Sequence, residues 1–176
     1  MRDVACRVAR TPWELEAYRA LRRAIFCDEQ RVFEHDDGDA WDRVAVPIIA
    51  VTGEDDEKRG AGERVIGVVR IYESSPGVWY GGRLGVDGPF RSLGHVGRRL
   101  IVKAVTTAHA WGCREFLAVV QPQNVPLFRR LHWRVVASIE AHGLPHVRMQ
   151  ADLAHYPPAV DGDVALRPPG PCHDAA

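Results

Sequence analysis

The stretch RSLGHVGRRLIVKAV, beginning at Arg91, constrains this chain more than any other. Its second half, continued to Ala108, puts Leu100, Ile101, Ala104, Val105 and Ala108 on one face of a helix, and such a face has to lie against a core. Its first half gathers Arg91, Arg98 and two glycines, Gly94 and Gly97, at the start of that helix. A helix N-terminus carries unpaired backbone N–H groups and a partial positive charge, and glycine lets main chain come close to an anion. One side of this helix is made for burial and one end suits a phosphate.

The flanking segments read as strands and helices in the order β, helices, β, β, β, helix, β, helix, β, β. VACRV near the N-terminus alternates like a strand. TPWE then sets Thr11 as N-cap, Pro12 at the first helical position and Glu14 at the third, and Leu15, Tyr18, Leu21 and Ile25 continue at helical spacing. After the acidic loop EHDDGDAWD comes VAVPIIAVT, a strand whose Pro47 cannot donate to a ladder and so predicts an edge or a bulge. GEDDEKRGAGE predicts a solvated hairpin connection into the β-branched RVIGVVRIY, followed by VWYGGRLGV. Beyond the central helix, EFLAVV, the short helix VPLFRRL, WRVVASIEA and a last strand around HVRMQADL complete a mixed α/β domain over residues 1–155. From Tyr156 onward Pro, Gly, Asp and Ala dominate, which predicts a disordered tail over 156–176.

Several function classes lose support here. Lys plus Arg and Asp plus Glu balance at 23 each, so no global field favours nucleic acid or an anionic membrane, and the cluster Arg91, Arg98, Arg99 and Lys103 is local. Cys6, Cys27, Cys113 and Cys172 are scattered, show no C-x-x-C spacing and follow no apolar leader, from which a cytoplasmic location is expected. His142 and His146 are four apart, but HGLPH contains Gly and Pro, so no helix aligns them and no metal site is expected. The glycine turn has neither G-K-S/T nor G-x-G-x-x-G with a distant acid, which argues against nucleoside triphosphates and NAD, and there is no G-x-S-x-G elbow.

GRLGV, PFR and RSLGHVG running into a helix resemble the acetyl-coenzyme A loop of the GCN5-related N-acetyltransferases, whose backbone amides hold the coenzyme's pyrophosphate. QPQNVPLFRRLHW resembles that family's asparagine, aromatic and L-G-F ending, and LRRAIFCDEQRVFEHDDGDAWD resembles an R-x-x-V-F-x-x-E-Q…D…D signature of one branch. Together they cover Leu21 to Trp133 in the right order. LPHVRMQADLAHYPP is similar to the C-terminal end of a bacterial set associated with nitrilase gene clusters and nitrogen starvation. The resemblance implies a central, mostly antiparallel mixed sheet flanked by helices, with acetyl-CoA as co-substrate and a small-molecule amine as acceptor.

Carried over residue by residue, it places the coenzyme against Leu84, Gly85 and Val86, against Arg91, Gly94, His95, Val96, Gly97 and Arg98, and against Asn124 and Phe128. Asn124 also suits the role of cap for the following helix. Two departures stand out: Gly97 follows Gly94 by three residues with Val96 at a small-residue position, and Phe128 stands where many relatives carry a proton-donating tyrosine. Phenylalanine has no proton to give. Candidate bases are Glu29, His132 and His146. Glu29, Asp39 and Asp42 would attract a cationic acceptor, and Arg83 would bind an acceptor carboxylate or pair with an acid of the upstream loop. An acyl-homoserine-lactone-synthase-like enzyme and a coenzyme-binding module without catalysis are the alternatives. Subunit pairing is expected through edges near Pro47 and the last strands.

Overall fold

In the computed structural model the first helix, α1 (Pro12–Arg23), starts as its local rules require. The Thr11 hydroxyl accepts the Glu14 N–H at 3.4 Å and the Glu14 carboxylate accepts the Thr11 N–H at 2.9 Å, with Pro12 inside the first turn. Backbone is described for residues 4–56 and 60–169, and side chains for the same residues apart from 54–61.

The strands are β1 (Val4–Val8), β2 (Val46–Asp56), β3 (Gly60–Ser75), β4 (Val78–Val86), β5 (Glu115–Val120), β6 (Trp133–Ala141) and β7 (Leu144–Ala151). They form one sheet in the order β1-β2-β3-β4-β5-β7-β6, in which every neighbouring pair is antiparallel except β4 with β5. Helix α2 (Val96–Ala110) makes the crossover that this parallel pair needs, and α3 (Val125–Arg130) joins β5 to β6. Alternation along β2 sends Ile48 and Ala50 to the α2 side with Leu100, Ala104 and Val105, and Ile49 and Val51 to the α1 side with Tyr18. Helices thus cover both faces of the sheet.

Glu14 has a second duty. Burial alone would raise its carboxyl, but the N–H groups of Thr11 and Arg10 and the Arg7 guanidinium hold it at about 2, against an ordinary 4.5. Its folded-state value is depressed, so its contribution is complete above pH 4.5 and is lost as pH falls toward about 2. Urea midpoints measured across that window should drop by the equivalent of about 2–3 kcal/mol, and Glu14→Gln should remove that part of the slope.

Three expectations need correction. Pro47 lies neither on an edge nor at a bulge: β2 is an inner strand, Pro47 faces Arg70 of β3 just past the end of β1, and the β2–β3 irregularity falls between Ala50 and Val51. The missing donor does no harm at this ladder end. The hairpin segment after β2 is largely ladder, since pairing runs on through Gly53 and Glu63 to Asp56 and Gly60. The disordered tail does not hold for residues 156–169. Tyr156 is 3% exposed, donates to the Leu131 carbonyl at 2.5 Å and accepts the Trp133 indole N–H at 3.0 Å. Asp163 takes the Val8 N–H at 2.9 Å and pairs with Lys103 at 2.8 Å, while Trp111 donates to the Val164 carbonyl. Buried polar anchors, with Tyr156 and Leu166 packed on the core, hold a segment rich in Pro, Asp and small residues. Residues 170–176, with Cys172, lie outside the described residues.

Candidate active site

Strands β4 and β5 pair over only four positions, Val78↔Glu115 to Gly81↔Ala118. From Gly82 onward β4 keeps its β3 partner but loses β5, and the two strands diverge into a fork. A bulge falls in the same place. Gly85 faces Val68 and Gly82 faces Arg70, so Arg83 and Leu84 together stand opposite Val69, and Arg83 takes a left-handed φ of 54°. Bulges leave peptide groups out of the ladder and re-aim them, here at the mouth of the fork.

Beyond the fork, Gly88–Leu93 forms a short 3-10 turn and Gly94 swings the chain with φ 64°, a conformation that glycine adopts without steric cost. The Gly94 and His95 N–H groups are used within the turn, by the Arg91 and Leu93 carbonyls. The first helical bond of α2 runs from the Arg99 N–H to the His95 carbonyl, and no side chain caps the helix. Val96, Gly97 and Arg98 therefore hold the first-turn amides that point out of the helix end. Val96 itself is 1% exposed, so its bulk is spent in the core and the longer glycine spacing leaves the amide end open.

A groove of about 480 Å³ runs along these parts. It is lined by Leu84, Gly85, Val86, Arg91, Gly94, Val96, Gly97, Asn124 and Phe128. Of the coenzyme contacts drawn from the sequence, only His95 and Arg98 are missing from this lining. The His95 ring folds back onto the Leu93 carbonyl at 2.7 Å, and Arg98 is an exposed residue of α2. Asn124 sits at the N-cap position of α3 without a side-chain capping bond, which leaves its amide available to the groove. The donor set fits an acyl coenzyme A: an uncapped helix start for the diphosphate, and strand peptide groups without a partner for the amide-bearing arm.

The groove meets a second cleft, of about 360 Å³, and Gln30, Leu84, Gln121, Asn124 and Phe128 line both. Gln30 follows a π-helical turn, Ala24–Glu29, which continues α1 and brings Phe26 to the cleft and Ile25 to the groove. Phe128 is 5% exposed and packs edge-on against Trp133 with centroids 4.9 Å apart.

A layer of ions underlies the second cleft. Arg22 donates to Asp37 at 2.7 Å and to Asp42 at 2.6 Å, Arg83 to Asp37 at 3.1 Å, and Arg70 to Asp39 at 2.8 and 2.5 Å. Arg83 thus pairs with the upstream loop, which is one of the two roles expected for it. Asp39 reaches the cleft, but both of its oxygens are engaged; burial opposes its ionisation, and Arg70 nonetheless holds its carboxyl below the ordinary range. Asp42 lines the outer side of α1 instead, so it is withdrawn as an acceptor contact.

The three base candidates separate clearly. Glu29 binds Arg91 through both of its oxygens, one at 2.7 Å, and that guanidinium pushes its carboxyl down, the wrong direction for a base near neutral pH. Arg91 also donates to the Val86 carbonyl, so two residues given separate roles form one clasp beside the groove. His132, with φ 62°, stacks on His155 at 3.6 Å in a hollow with Arg114 and Arg134, outside groove and cleft. His146 is 9% exposed and lines the cleft, with Nδ1 3.0 Å from the Leu144 carbonyl. Of the three, it alone stays in place. Sequence reasoning missed Arg22, Asp37, Arg70 and the cleft aromatics; the signal for Arg22 was a charge four residues after Tyr18 on the inward face of α1.

Among the described residues no helix is long and apolar enough to cross a membrane and no group of three or more His, Cys, Asp or Glu could hold a metal ion. The model for the acetyltransferase (GNAT) family matches residues 12–133. A search of the curated proteins finds no match. Among solved structures, the chain is similar to ElaA of Escherichia coli, with 22% identity, TM-score 0.68 and 86% of this chain and 100% of that one covered. It is also similar to an acyl-CoA N-acyltransferase of Pseudomonas aeruginosa, with 19% identity, TM-score 0.66 and 86% and 99% covered. An aminoglycoside 6'-N-acetyltransferase complexed with coenzyme A aligns with 13% identity, TM-score 0.63 and 84% and 95% covered. These structures share its fold, and the family match spans more than half of its length. The forked sheet, the uncapped helix after a glycine turn and that match agree: the chain belongs to the acetyltransferase (GNAT) family and is an acyltransferase.

Proposed function

We propose that the protein moves an acetyl group from acetyl-CoA to the amine of a small molecule by direct attack in a ternary complex. The observation that carries this reading is the meeting of groove and cleft at Leu84, Gln121, Asn124 and Phe128, which brings a donor and an acceptor together in one opening. Acetyl-CoA supplies an activated acyl carbon bound to a good leaving group. The protein's own part is to hold and to polarise. First-turn amides of α2 would hold the diphosphate, with the Arg91–Glu29 clasp lining the groove beside them, and the bulged peptide at Leu84 would offer an N–H to the carbonyl oxygen on which charge develops. His146 takes the amine's proton. A thiol of ordinary pKa near ~8.5 leaves as the thiolate without an acid, so Phe128 is compatible with turnover.

Incubation with acetyl-CoA and pooled amines, read by thiol release and new acetylated masses, tests this reading; coenzyme binding without transfer to any amine would favour a module without catalysis. The size of the donor is a second check. Behind the fork, Gly81, Leu84, Ile101, Ala104, Phe116 and Phe128 line a small apolar pocket of about 50 Å³, which suits a short acyl tail better than a long one. Acetyl- and propionyl-CoA should be used at least ~10-fold faster than octanoyl-CoA, since an overpacked tail costs about 1–3 kcal/mol. The reverse preference would favour the homoserine-lactone-synthase-like alternative. The cytoplasmic location belongs to the same proposal and is supported by Cys6, Cys27 and Cys113 being free thiols. So does pairing of subunits, now through the edge strand β6, whose residues 134–136 are exposed.

A further inference from the structure

Taking the acetyl-transfer reading above as given, we propose that the acceptor is an aromatic amine, with its nitrogen on the ring, held by stacking in the cleft. Trp41, Tyr72 and Tyr80 form a continuous stack there, with centroids 4.5 and 5.8 Å apart and planes inclined by only 18° and 11°. Trp41 ends this stack and is 40% exposed. Phe33 and His142, in edge-to-face contact at 4.8 Å, line the same cleft from other elements. Offset stacking at such spacings is favourable, and a flat ligand extends the array.

Charge selects against the obvious competitor, an aliphatic ammonium. Aromatic walls bind cations through their faces, but Arg70 already lies 5.6 Å from the Tyr72 centroid and Arg83 lies 4.4 Å from that of Phe33. Those two ring faces are already occupied, so a second cation gains little from them. Asp39, the carboxylate that reaches this cleft, is committed to Arg70 and Arg83. An uncharged, electron-rich ring meets none of these objections.

Proton chemistry points the same way. An alkylamine with a pKa of about 10 is mostly protonated at neutral pH and has to be deprotonated before it can attack. Among the described residues lining the cleft, the side-chain bases not tied to a cation are His142 and His146. With Nδ1 facing the Leu144 carbonyl, His146 is held in the tautomer whose Nε2 keeps its lone pair. A ring-bound amine is neutral at this pH because its lone pair is delocalised, and it becomes strongly acidic only after bonding to carbon, so a weak base suffices. The amine nitrogen gives its electron pair to the acyl carbon of acetyl-CoA, the carbon–sulfur bond breaks with its pair staying on sulfur, and the nitrogen's proton passes to His146 and then to the thiolate or to water.

The test compares 2-aminonaphthalene with its ring-saturated counterpart, decahydro-2-naphthylamine, and with spermidine. Binding is measured by calorimetry on the protein saturated with coenzyme A, and transfer by thiol release with acetyl-CoA. We expect saturable binding of the aromatic amine, roughly tenfold or more tighter than either competitor, and a similar loss for that probe alone in Trp41→Leu, with coenzyme binding unchanged. Equal or tighter binding of a competitor, absence of aromatic binding, or indifference of Trp41→Leu overturns the inference. Acetyl transfer to alkylamines alone would overturn it while leaving the acetyltransferase reading intact, whereas failure to bind coenzyme A would remove that reading itself.

Discussion

Gly97→Glu should abolish coenzyme binding while leaving the fold untouched or slightly firmer. Gly97 is the second residue of α2, and a Cβ there would lie 3.8 Å from Val86 Cγ2, an ordinary contact, so the new side chain extends along the groove without a clash. A carboxylate in the first turn of a helix complements its dipole and contributes about 0.3–1 kcal/mol of stability. The same carboxylate would occupy the ground proposed for the diphosphate. Two unit charges about 4 Å apart at an effective dielectric near 20 repel by roughly 4 kcal/mol, so a loss of at least ~100-fold in acetyl-CoA affinity is a conservative figure. Calorimetry with acetyl-CoA and a thermal melt read the two effects separately. A well-folded variant with unaltered affinity would put the donor somewhere else on the molecule. Gly94→Glu is the poorer experiment, because φ 64° makes any side chain at that position strained.

The second large effect is expected far from the donor. Asp37 is 4% exposed and accepts bonds from both Arg22 and Arg83, whose side chains are 5% and 13% exposed. Asp37→Ala leaves two buried guanidinium groups short of countercharge, and breaking a buried pair in this way costs about 3–5 kcal/mol. For a chain of this size the melting temperature should fall by roughly 10 °C. Transfer activity should also drop well below the melt, because Arg83, in the bulge beside Leu84, loses the Asp37 carboxylate and is left with the residue-37 carbonyl and Asp39. A melting temperature within about 2 °C of the parent would show that the ion layer contributes specificity and no net stability.

What could be read from the sequence was what is decided locally. The Thr11 cap, the bounds of β4, the amphipathic α2 and the glycine turn follow rules that act within a few residues, and each stands where expected. Pro47 misled because strand position in a sheet is a long-range property; it stands at the end of the β1 ladder, where its carbonyl still accepts the Ala9 N–H at 2.9 Å and a single return bond is forgone. The 156–169 segment misled because its composition carries no sign of Trp111, Lys103 and Leu131, the distant residues that anchor it. Histidines carry no local signature either. His146 lies in β7, which pairs with β5 at the fork, and His132 follows the C-cap of α3 outside the cleft, yet in the sequence they are only fourteen positions apart.

The short parallel seam between β4 and β5 has a kinetic consequence. It divides the sheet into a four-stranded and a three-stranded half, and the acceptor opening draws Tyr80 and Arg83 from one half and Val119 and His146 from the other. On the acetyl-transfer proposal, a thioester laid into the seam would touch both halves before any nucleophile arrives. If acetyl transfer proceeds as proposed, ordered association, donor before acceptor and free coenzyme departing last, is the expected result of product-inhibition kinetics.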